Sequence, residues 1–163
     1  MDEGYFSHNP VLSAAVLLTS GPVLELGTGY GSSLTLHGLC GMMKRKLVSI
    51  ESDEIWLERF LSYERSWHKF RFASDFMNLP EYKEKWGLVF VDHGISMQRG
   101  HAVRMLKDTP IIVAHDTCHF FLYDYEPTLS QFKYRWDYKV KAPQTTVVSN
   151  SVNVAELFSE AKL

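Results

Sequence analysis

The sequence predicts an α/β fold in which a mainly parallel sheet is covered by helices on both faces. Short apolar segments rich in Val, Ile and Leu alternate along the chain with longer segments of helical character, an alternation that is typical of β-α-β units. Towards the C-terminus the pattern changes. Two strand-like segments, 134–140 and 145–149, are separated by only four residues, which is the spacing of an antiparallel hairpin.

Apolar runs and their flanking residues place the individual elements. Pro10 favours the first turn of a helix, and Ser52 with Asp53 predicts the start of another. The run 88–91 is apolar and β-favouring throughout, as expected for a central parallel strand that is buried on both faces. The five parallel strands are expected at 23–26, 46–50, 70–73, 88–91 and 110–114. The helices are expected at 10–19, 32–43, 53–66 and 97–106.

Length and composition indicate a single domain spanning residues 1–163. The chain is 45% hydrophobic and 22% charged, which are ordinary values for a globular protein. Its formal net charge of −2 gives no sign of a nucleic-acid partner. Two cysteines are too few for a disulfide framework, and the first residues lack the basic region of a signal peptide. The low cysteine count favours a reducing compartment, so the expected location is the cytoplasm, and the longest apolar run near the N-terminus is too short for a membrane span.

A glycine-rich turn follows the first predicted strand. Residues 23–33 read Val-Leu-Glu-Leu-Gly-Thr-Gly-Tyr-Gly-Ser-Ser, so glycine occupies every second position from Gly27 to Gly31. Glycine lets a ligand lie against bare backbone, and the helix that follows presents free N–H groups to an anion. The dinucleotide fingerprint G-x-G-x-x-G would need a third glycine at Ser32. The spacing therefore differs from that of an NAD-binding turn.

Acidic residues stand at the ends of successive predicted strands. They are Glu51 after the second strand, Asp75 after the third, Asp92 after the fourth and Asp116 after the fifth. Ligands of open α/β sheets bind at this edge, where the strands end. Carboxylates gathered at one edge repel one another, so a ligand or an ion is expected among them. Glu25 lies within the first strand, where burying an unpaired charge is costly, and this favours a functional role.

The pattern Glu25-x-Gly27-x-Gly29-x-Gly31 resembles the first motif of class I methyltransferases that depend on S-adenosylmethionine (SAM). Five parallel strands followed by a hairpin are also similar to the sheet of that family, and the similarity covers nearly the whole chain. The resemblance implies a Rossmann-like three-layer sandwich with a mostly parallel seven-stranded sheet and a C-terminal antiparallel hairpin. It further implies SAM as the cofactor and methyl transfer as the reaction.

The resemblance implies cofactor-binding roles for residues at several strand ends. Glu51 matches the residue that binds the two ribose hydroxyls of SAM, and Glu25 matches the acid near the methionine ammonium group. Asp75 matches an acid that contacts adenine, with Phe76 beside the ring. Two interpretations stay open, since Glu51 could instead cap the next helix and Asp75 could be an ordinary turn aspartate. The expected cofactor-binding residues are Glu25, Gly27, Thr28, Gly29, Tyr30, Gly31, Glu51, Ser52, Asp75, Phe76, Asp92 and His93.

Two further segments, 88–94 and 112–117, resemble the catechol-type O-methyltransferases, which are small magnesium-dependent enzymes. In that family an Asp-His pair ends the fourth strand and an Asp-Asn pair ends the fifth. Both aspartates and the asparagine bind the ion. The match implies that Asp92 and Asp116 are Mg²⁺ ligands and that His93 lies near the cofactor. Carboxylate oxygens suit Mg²⁺ chemically.

The sequence departs from the catechol-type pattern at two positions. Thr117 stands where the asparagine would be, and Ile95 replaces the catalytic lysine of that family. A hydroxyl is a poorer magnesium ligand than an amide carbonyl, and the base must come from elsewhere. Neutral imidazole is the usual proton acceptor near pH 7. The expected catalytic residues are therefore His93, His115 and Asp116.

The acceptor is expected to be a small hydroxylated molecule. The end of the fourth strand reads Asp-His-Gly-Ile, which differs from the Asn/Asp-Pro-Pro-aromatic motif of adenine-modifying methyltransferases. Residues 5–8 precede the first helix and could fold over the cofactor. An aromatic group follows the fifth strand, where acceptors of this fold usually bind, but aromatic side chains also suit a core or an interface, so the group does not by itself predict a substrate site. The group consists of His119, Phe120, Phe121, Tyr123, Tyr125 and Trp136.

Two expectations concern partners and rival functions. The chain lacks the longer N-terminal helical section of the catechol-type group, so we expect a homodimer in which a second subunit closes the site. The absent lysine and asparagine also leave open a SAM-binding protein without transfer activity. A nucleotide- or NAD-binding enzyme is the other alternative, disfavoured by the spacing of the glycines.

Overall fold

The structure, a computed structural model, describes residues 6–119 and 121–161; Tyr5 and Phe120, which the sequence places near the site, lie outside the described residues. The strands are β1 (Val23–Leu26), β2 (Leu47–Glu51), β3 (His68–Phe72), β4 (Leu88–Val91), β5 (Ile111–Ala114), β6 (Tyr134–Tyr138) and β7 (Thr145–Ser149). The α-helices are α1 (Asn9–Leu18), α2 (Ser32–Met42), α3 (Glu54–Glu58), α4 (Arg99–Met105) and α5 (Val154–Glu160).

The predicted α/β fold is confirmed as one seven-stranded sheet in the order β3-β2-β1-β4-β5-β7-β6. The first five strands pair in parallel, whereas β7 runs antiparallel to both β5 and β6. The order reverses between β1 and β4, which are hydrogen-bonded neighbours although β2 and β3 separate them in the chain. Ligands of open sheets bind beside such a switch point, at the carboxyl ends of the strands.

Side chains of β1 alternate between the two faces of the sheet, as the period of a strand requires. Leu24 and Leu26 belong to the apolar core that includes α4. Val23 belongs to the opposite core, which α1, α2 and α5 cover. Glu25 shares the face of Val23 and therefore points towards the start of α2, where Ser33 contacts it.

Several boundaries differ from the predicted ones. The third helix was predicted to run to about residue 66, but α3 ends at Glu58 and the chain tightens into a 3-10 turn, Leu61–Tyr63, before β3. This short path is needed because β3 begins at His68, two residues earlier than predicted. Helix α5 was not predicted, although Asn153 caps it and Val154 and Phe158 bury the same face at a spacing of four.

Among the described residues, no helix has both the length and the apolar character needed to cross a membrane. Cys40 is buried and Cys118 is exposed, and both are free thiols.

Candidate functional site

A cleft of about 560 Å³ opens at the carboxyl ends of the central strands, beside the switch point. A cleft of this volume is within the ordinary range for a small-molecule site. The predicted site residues that border it are Thr28, Gly29, Gly31, Glu51, Asp92, His115 and Asp116. Its other lining residues were not predicted as site residues, and they are His8, Ser32, Asp53, Trp56, Gly94, Arg99 and Pro143.

The glycine turn packs directly against the end of β4. Gly27 has a φ of +96°, and a Cβ atom at this position would lie 2.5 Å from the backbone of Asp92 and His93. Only glycine adopts this conformation at low cost and also allows such a close approach. The backbone N–H of Gly27 donates to the carbonyl of Ile50 at 2.8 Å. The turn is therefore held at the meeting point of three strands.

Glu51 joins the end of β2 to the glycine turn. One carboxylate oxygen accepts from the backbone N–H of Thr28 at 2.8 Å and from its hydroxyl at 2.9 Å. The other accepts from the backbone N–H groups of Ser52 and Asp53 at 2.6 and 3.0 Å. Glu51 is 5% exposed, so these hydrogen bonds hold a carboxylate at the wall of the cleft. This geometry is compatible with both predicted roles of Glu51. Its contact with the start of α3 suits a helix cap, and its position at the cleft wall suits ribose binding.

An aromatic wall, Trp56 with Tyr30, lies next to Glu51. The indole N–H of Trp56 donates to the carbonyl of Thr28 at 2.8 Å, which fixes the ring against the glycine turn. Tyr30 meets the same indole edge to face, with ring centroids 5.6 Å apart. Trp56 was missed in the sequence, although it is the third residue after the capping residue Asp53.

Glu25 lies behind the glycine turn and does not border the cleft. It is fully buried, and both of its oxygens accept from the hydroxyl of Ser33 at 2.9 Å. Ser49 donates a further hydrogen bond at 2.5 Å. Burial raises the pKa of Glu25 to about 7, against the opposing effect of the hydrogen bonds from Ser49, Ser32 and Ser33. Ser32 stands between this carboxyl group and the cleft, which it lines.

A buried polar chain continues from Glu25 towards the surface. The hydroxyl of Ser49 pairs with Nε2 of His68 at 3.0 Å, and Nδ1 of His68 pairs with Nδ1 of His37 at 3.0 Å. Burial, with His37 as a second cause, lowers the pKa of His68 to about 3. His68 is therefore neutral at physiological pH.

Arg99, at the start of α4, bridges the two aspartates that were predicted to hold Mg²⁺. Its Nη1 lies 3.1 Å from Oδ1 of Asp92 and 3.0 Å from Oδ2 of Asp116. Its Nε donates to the carbonyl of His93 at 2.7 Å, and its guanidinium carbon lies 4.0 Å from the centroid of the Tyr123 ring. The buried guanidinium of Arg99 thus supplies the positive charge between the two carboxylates that the predicted Mg²⁺ ion would have supplied.

Thr117, which stands at the third ligand position of the catechol-type magnesium site, is hydrogen-bonded within the protein. The hydroxyl of Thr117 donates to the carbonyl of Gln144 at 3.2 Å and pairs with the hydroxyl of Thr146 at 2.7 Å. Thr117 is fully buried and absent from the cleft wall. With Arg99 between the carboxylates, the residues present do not fit a Mg²⁺ ion bridging Asp92 and Asp116, and that expectation is corrected.

His115 borders the cleft with both ring nitrogens facing polar groups. Its Nδ1 lies 3.2 Å from Oδ2 of Asp92 and 3.6 Å from Oδ1 of Asp116. Its Nε2 lies 2.8 Å from the hydroxyl of Ser7. Burial alone would lower the pKa of His115, but the carboxylates of Asp92 and Asp116 outweigh it and the pKa is raised. The same contacts, with Arg99, keep the pKa of Asp92 below its usual value although burial opposes this.

His8, which precedes α1, reaches the cleft from the N-terminal side. It is 3% exposed, and its ring lies 4.7 Å from the ring of His115 in an edge-to-face arrangement. Neither ring nitrogen has a hydrogen-bond partner among the described residues. Burial, with the neighbouring His115 as a second cause, lowers the pKa of His8 to about 4. Residues 5–8 were predicted to fold over the cofactor, but no catalytic or binding role was predicted for His8.

His93, Phe76 and Asp75 also lie away from the cleft wall. His93 is fully buried and stacks on Phe76 with ring centroids 3.8 Å apart, and neither side chain borders the cleft. Burial and the nearby Arg99 lower the pKa of His93 to about 3. Asp75 is exposed and accepts from the backbone N–H of Met77 at 2.8 Å, which is the geometry of a turn aspartate. The expected adenine contact of Phe76 and base role of His93 stay predictions.

The aromatic group after β5 is divided between different parts of the fold. Tyr125 is fully buried and donates to the carbonyl of His115 at 3.0 Å. Trp136 stacks on Phe158 of α5, with 5.2 Å between the ring centroids, and does not border the cleft. Phe121 is 93% exposed. Tyr125, Trp136 and Phe121 therefore do not form one surface at the cleft wall.

Methyltransferases are among the solved structures with a similar fold. One is a methyltransferase of Podospora anserina bound to S-adenosylhomocysteine (SAH), with a TM-score of 0.63 and 15% identity over 86% of this chain and 75% of that chain. Another is the N-methyltransferase NodS of Bradyrhizobium japonicum WM9 in complex with SAH, with a TM-score of 0.56 and 16% identity over 86% of this chain and 83% of that chain.

A third similar structure is the precorrin-6y C5,15-methyltransferase of Geobacter metallireducens GS-15, with a TM-score of 0.58 and 15% identity over 86% of this chain and 87% of that chain. No protein-family model matches the sequence, and the search of curated proteins gave no match. The structural similarities show that the chain has the Rossmann-like fold of SAM-dependent methyltransferases.

Proposed function

We propose that this chain is a SAM-dependent methyltransferase that binds its cofactor in the cleft at the carboxyl edge of the sheet. The observation that carries the proposal is the Glu51 carboxylate. It is held at the end of β2, opposite the glycine turn and beside an aromatic wall. A carboxylate at this position of an open sheet is suited to accept hydrogen bonds from ribose hydroxyls.

The cleft offers a complementary group for each part of the cofactor. The ribose hydroxyls would donate to Glu51, adding to or replacing the hydroxyl of Thr28 on the same oxygen. The adenine would lie against Trp56, whose ring is fixed by its bond to the Thr28 carbonyl. The methionine ammonium group would lie beside Ser32, with the carboxyl group of Glu25 behind it. Tyr30 and Ser52, next to Trp56 and Glu51, would lie at the margin of this site.

The acceptor would occupy the opposite end of the cleft, between the start of α1 and the ends of β4 and β5. His8, His115 and Asp116 border this end. Methyl transfer requires the acceptor atom to be held in line with the methyl–sulfur bond, so positioning is the main task of these side chains. A small hydroxylated acceptor fits the polar lining. A second subunit closing this end stays part of the proposal.

One observation supports the alternative of a SAM-binding protein without transfer activity. Both nitrogens of His115 already face polar partners, Asp92 and Ser7, so His115 has no open nitrogen that could take an acceptor proton directly. His93 is enclosed in the core. An inactive binding protein needs no base, whereas an enzyme needs another means of activating the acceptor.

Fluorescence of Trp56 tests the proposal. We expect SAM and SAH to change the emission of the full chain in a saturable manner, and the change to disappear in Trp56→Phe, because this indole borders the cofactor end of the cleft. Formation of SAH from SAM with a pool of hydroxylated metabolites would then separate the enzyme from the binding protein. Saturable binding of NAD, with none of SAM or SAH, would instead support the nucleotide-binding alternative.

A further inference from the structure

Three potential metal ligands from separate parts of the chain converge at the acceptor end of the cleft. His8 precedes α1, Asp92 follows β4 and His115 follows β5. One nitrogen or oxygen atom from each side chain lies within 4.8 Å of the other two. All three border the cleft, and both histidines are at most 5% exposed. The set combines two imidazoles with one carboxylate, which differs from the pair of aspartates that Arg99 bridges.

Nδ1 of His115 and Oδ2 of Asp92 lie close together at the acceptor end of the cleft. The hydroxyl of Ser7 donates to the carbonyl of Pro143 at 3.1 Å and pairs with Nε2 of His115 at 2.8 Å. In the neutral tautomer of His115 that carries its proton on Nε2, Nδ1 keeps a lone pair and can ligate an ion. That lone pair faces Oδ2 of Asp92 at 3.2 Å. Either a proton or a metal ion must separate two such atoms, and 3.2 Å is close to the spacing of two ligands on an ion with bonds of about 2.1 Å.

The surroundings of His8 favour a metal ion over a proton between His115 and Asp92. A proton on Nδ1 of His115 would satisfy that nitrogen and Asp92, but it would leave both nitrogens of His8 without a partner among the described residues. Buried polar atoms without partners are rare in native proteins, and a bound ion is one way in which such atoms are satisfied. An ion bound to all three side chains would satisfy His8 as well. Ligation would draw His8 inward by up to about 1.5 Å, because ligands of one ion lie about 3.3 Å apart.

We infer that His8, Asp92 and His115 form a binding site for a divalent transition-metal ion of the zinc type, with its remaining positions open to the cleft. Imidazole nitrogen suits Zn²⁺, Co²⁺, Ni²⁺ and Fe²⁺, whereas Mg²⁺ prefers oxygen. Arg99 approaches Oδ1 of Asp92, and Oδ2 is the oxygen that faces His115. The single charge of Arg99 is shared with Asp116, so the carboxylates keep a surplus of negative charge for the ion.

Surrounding residues hold the ligands in place. The hydroxyl of Ser7, which pairs with Nε2 of His115, would stabilise the tautomer that leaves Nδ1 for the ion, as second-layer hydrogen bonds do in known metal sites. Arg99 fixes the orientation of the Asp92 carboxylate. If the proposed methyl transfer is also correct, an acceptor hydroxyl on the ion would have a lowered pKa. That consequence rests on the proposed function, whereas the metal site itself does not.

The test is a metal titration of the untagged full chain after treatment with a chelator. Co²⁺ is added first, because its visible absorption reports coordination by nitrogen, and Zn²⁺ is then used to displace it. We expect one ion per chain. His8→Gln and Asp92→Asn should each weaken binding at least about tenfold, and His8→Cys should restore part of it because a thiolate is a zinc ligand. His101→Gln is the matched control, since His101 contacts Met77 and does not border the cleft.

Circular dichroism of each variant shows whether it is folded. For the wild-type chain loaded with zinc, X-ray absorption should report two imidazole ligands, and this measurement needs no variant. The inference is overturned if no ion binds stoichiometrically, if X-ray absorption finds no imidazole, or if folded His8→Gln binds as tightly as the wild type. Loss of SAH binding with an intact metal site would contradict the proposed function and leave this inference standing.

Discussion

Thr28 donates two hydrogen bonds to one oxygen of Glu51, from its backbone N–H at 2.8 Å and from its hydroxyl at 2.9 Å. The pair ties the glycine turn after β1 to the end of β2, two segments that are 23 positions apart in the chain. It also fixes the orientation of the carboxylate that is proposed to receive the ribose hydroxyls. The geometry of the cofactor end of the cleft therefore depends on this contact.

Replacing Glu51 by Gln should weaken SAH binding at least about tenfold, because hydrogen bonds to a charged acceptor contribute about 1.5–3 kcal/mol each. Glu58→Gln, on the exposed side of α3, is the matched control and should bind as the wild type does. Equilibrium titration of both variants measures the effect. Equal affinities for the two variants would show that Glu51 does not contact the ligand.

Replacing Gly27 by Ala should lower the free energy of unfolding by at least about 2 kcal/mol, because the positive φ strains alanine and the new Cβ would clash with the end of β4. Gly38→Ala is the control. Gly38 is exposed within α2 and has no atom within 4 Å of a built Cβ, so alanine should stabilise the helix there by about 0.5–1 kcal/mol. Urea unfolding measures both, and a neutral Gly27→Ala would contradict the close approach of the turn to β4.

Replacing Arg99 by Gln should destabilise the chain by about 3–5 kcal/mol, since it leaves the facing carboxylates of Asp92 and Asp116 without their cation. Arg104→Gln is the control on the same helix. Arg104 pairs with Asp124 at the surface, with 42% of its side chain exposed, and should cost less than about 1 kcal/mol. Thermal and urea unfolding compare the two. Similar small losses would mean that solvent screens the carboxylates.

Stability should fall as the pH drops below 6.5. The folded-state pKa values of His8, His68 and His93 are lowered to about 4, 3 and 3, whereas the unfolded values are 6.5. The unfolded state therefore binds more protons in this range, and the stabilisation present above pH 6.5 is lost on acidification. In His68→Gln the slope of unfolding free energy against pH should be smaller by about 1.4 kcal/mol per pH unit. An unchanged slope would show that His68 titrates in the folded protein as it does in the unfolded chain.

Glu25 should have the opposite effect on the pH dependence of stability over part of the same pH range. Its folded-state pKa is raised from 4.5 to about 7, so between these values the folded state binds more protons and stability falls as the pH rises. The cost of ionising the buried group reaches about 3 kcal/mol above pH 7. In Glu25→Gln this opposing contribution is absent, and the loss of stability on acidification should become steeper. Urea unfolding at a series of pH values checks the slope, and a slope equal to that of the wild type would place the Glu25 pKa near its usual value.

Local signals in the sequence were sufficient for most of the sheet. The strands at Val23–Leu26, Leu88–Val91 and Thr145–Ser149 were predicted with the bounds that the structure has, because apolar runs and turn residues mark both ends. The glycine turn was also predicted, since its spacing is a property of contiguous residues. Helix α3 was predicted too long because the return path to β3 is set by the tertiary fold.

The groups that could not be predicted act across long distances in the chain. Arg99 bridges Asp92 and Asp116 only after α4 has packed beside the sheet, and no local pattern marks it. His8 meets His115 across more than one hundred positions, through the packing of α1 against β5. The ring of Phe76, which was expected to lie beside adenine, is buried against His93, a partner that no local pattern marks. Spacing predicts which residues reach the sheet edge, whereas side-chain partners depend on packing.

The most direct test of SAM-dependent function is a calorimetric titration of the purified chain with SAH and then SAM, with NAD as the comparison ligand. We predict binding of SAH and SAM at one site per chain, with dissociation constants on the order of micromolar, and no heat from NAD. Saturable binding of NAD, together with no heat from either SAH or SAM, would contradict a SAM-dependent function.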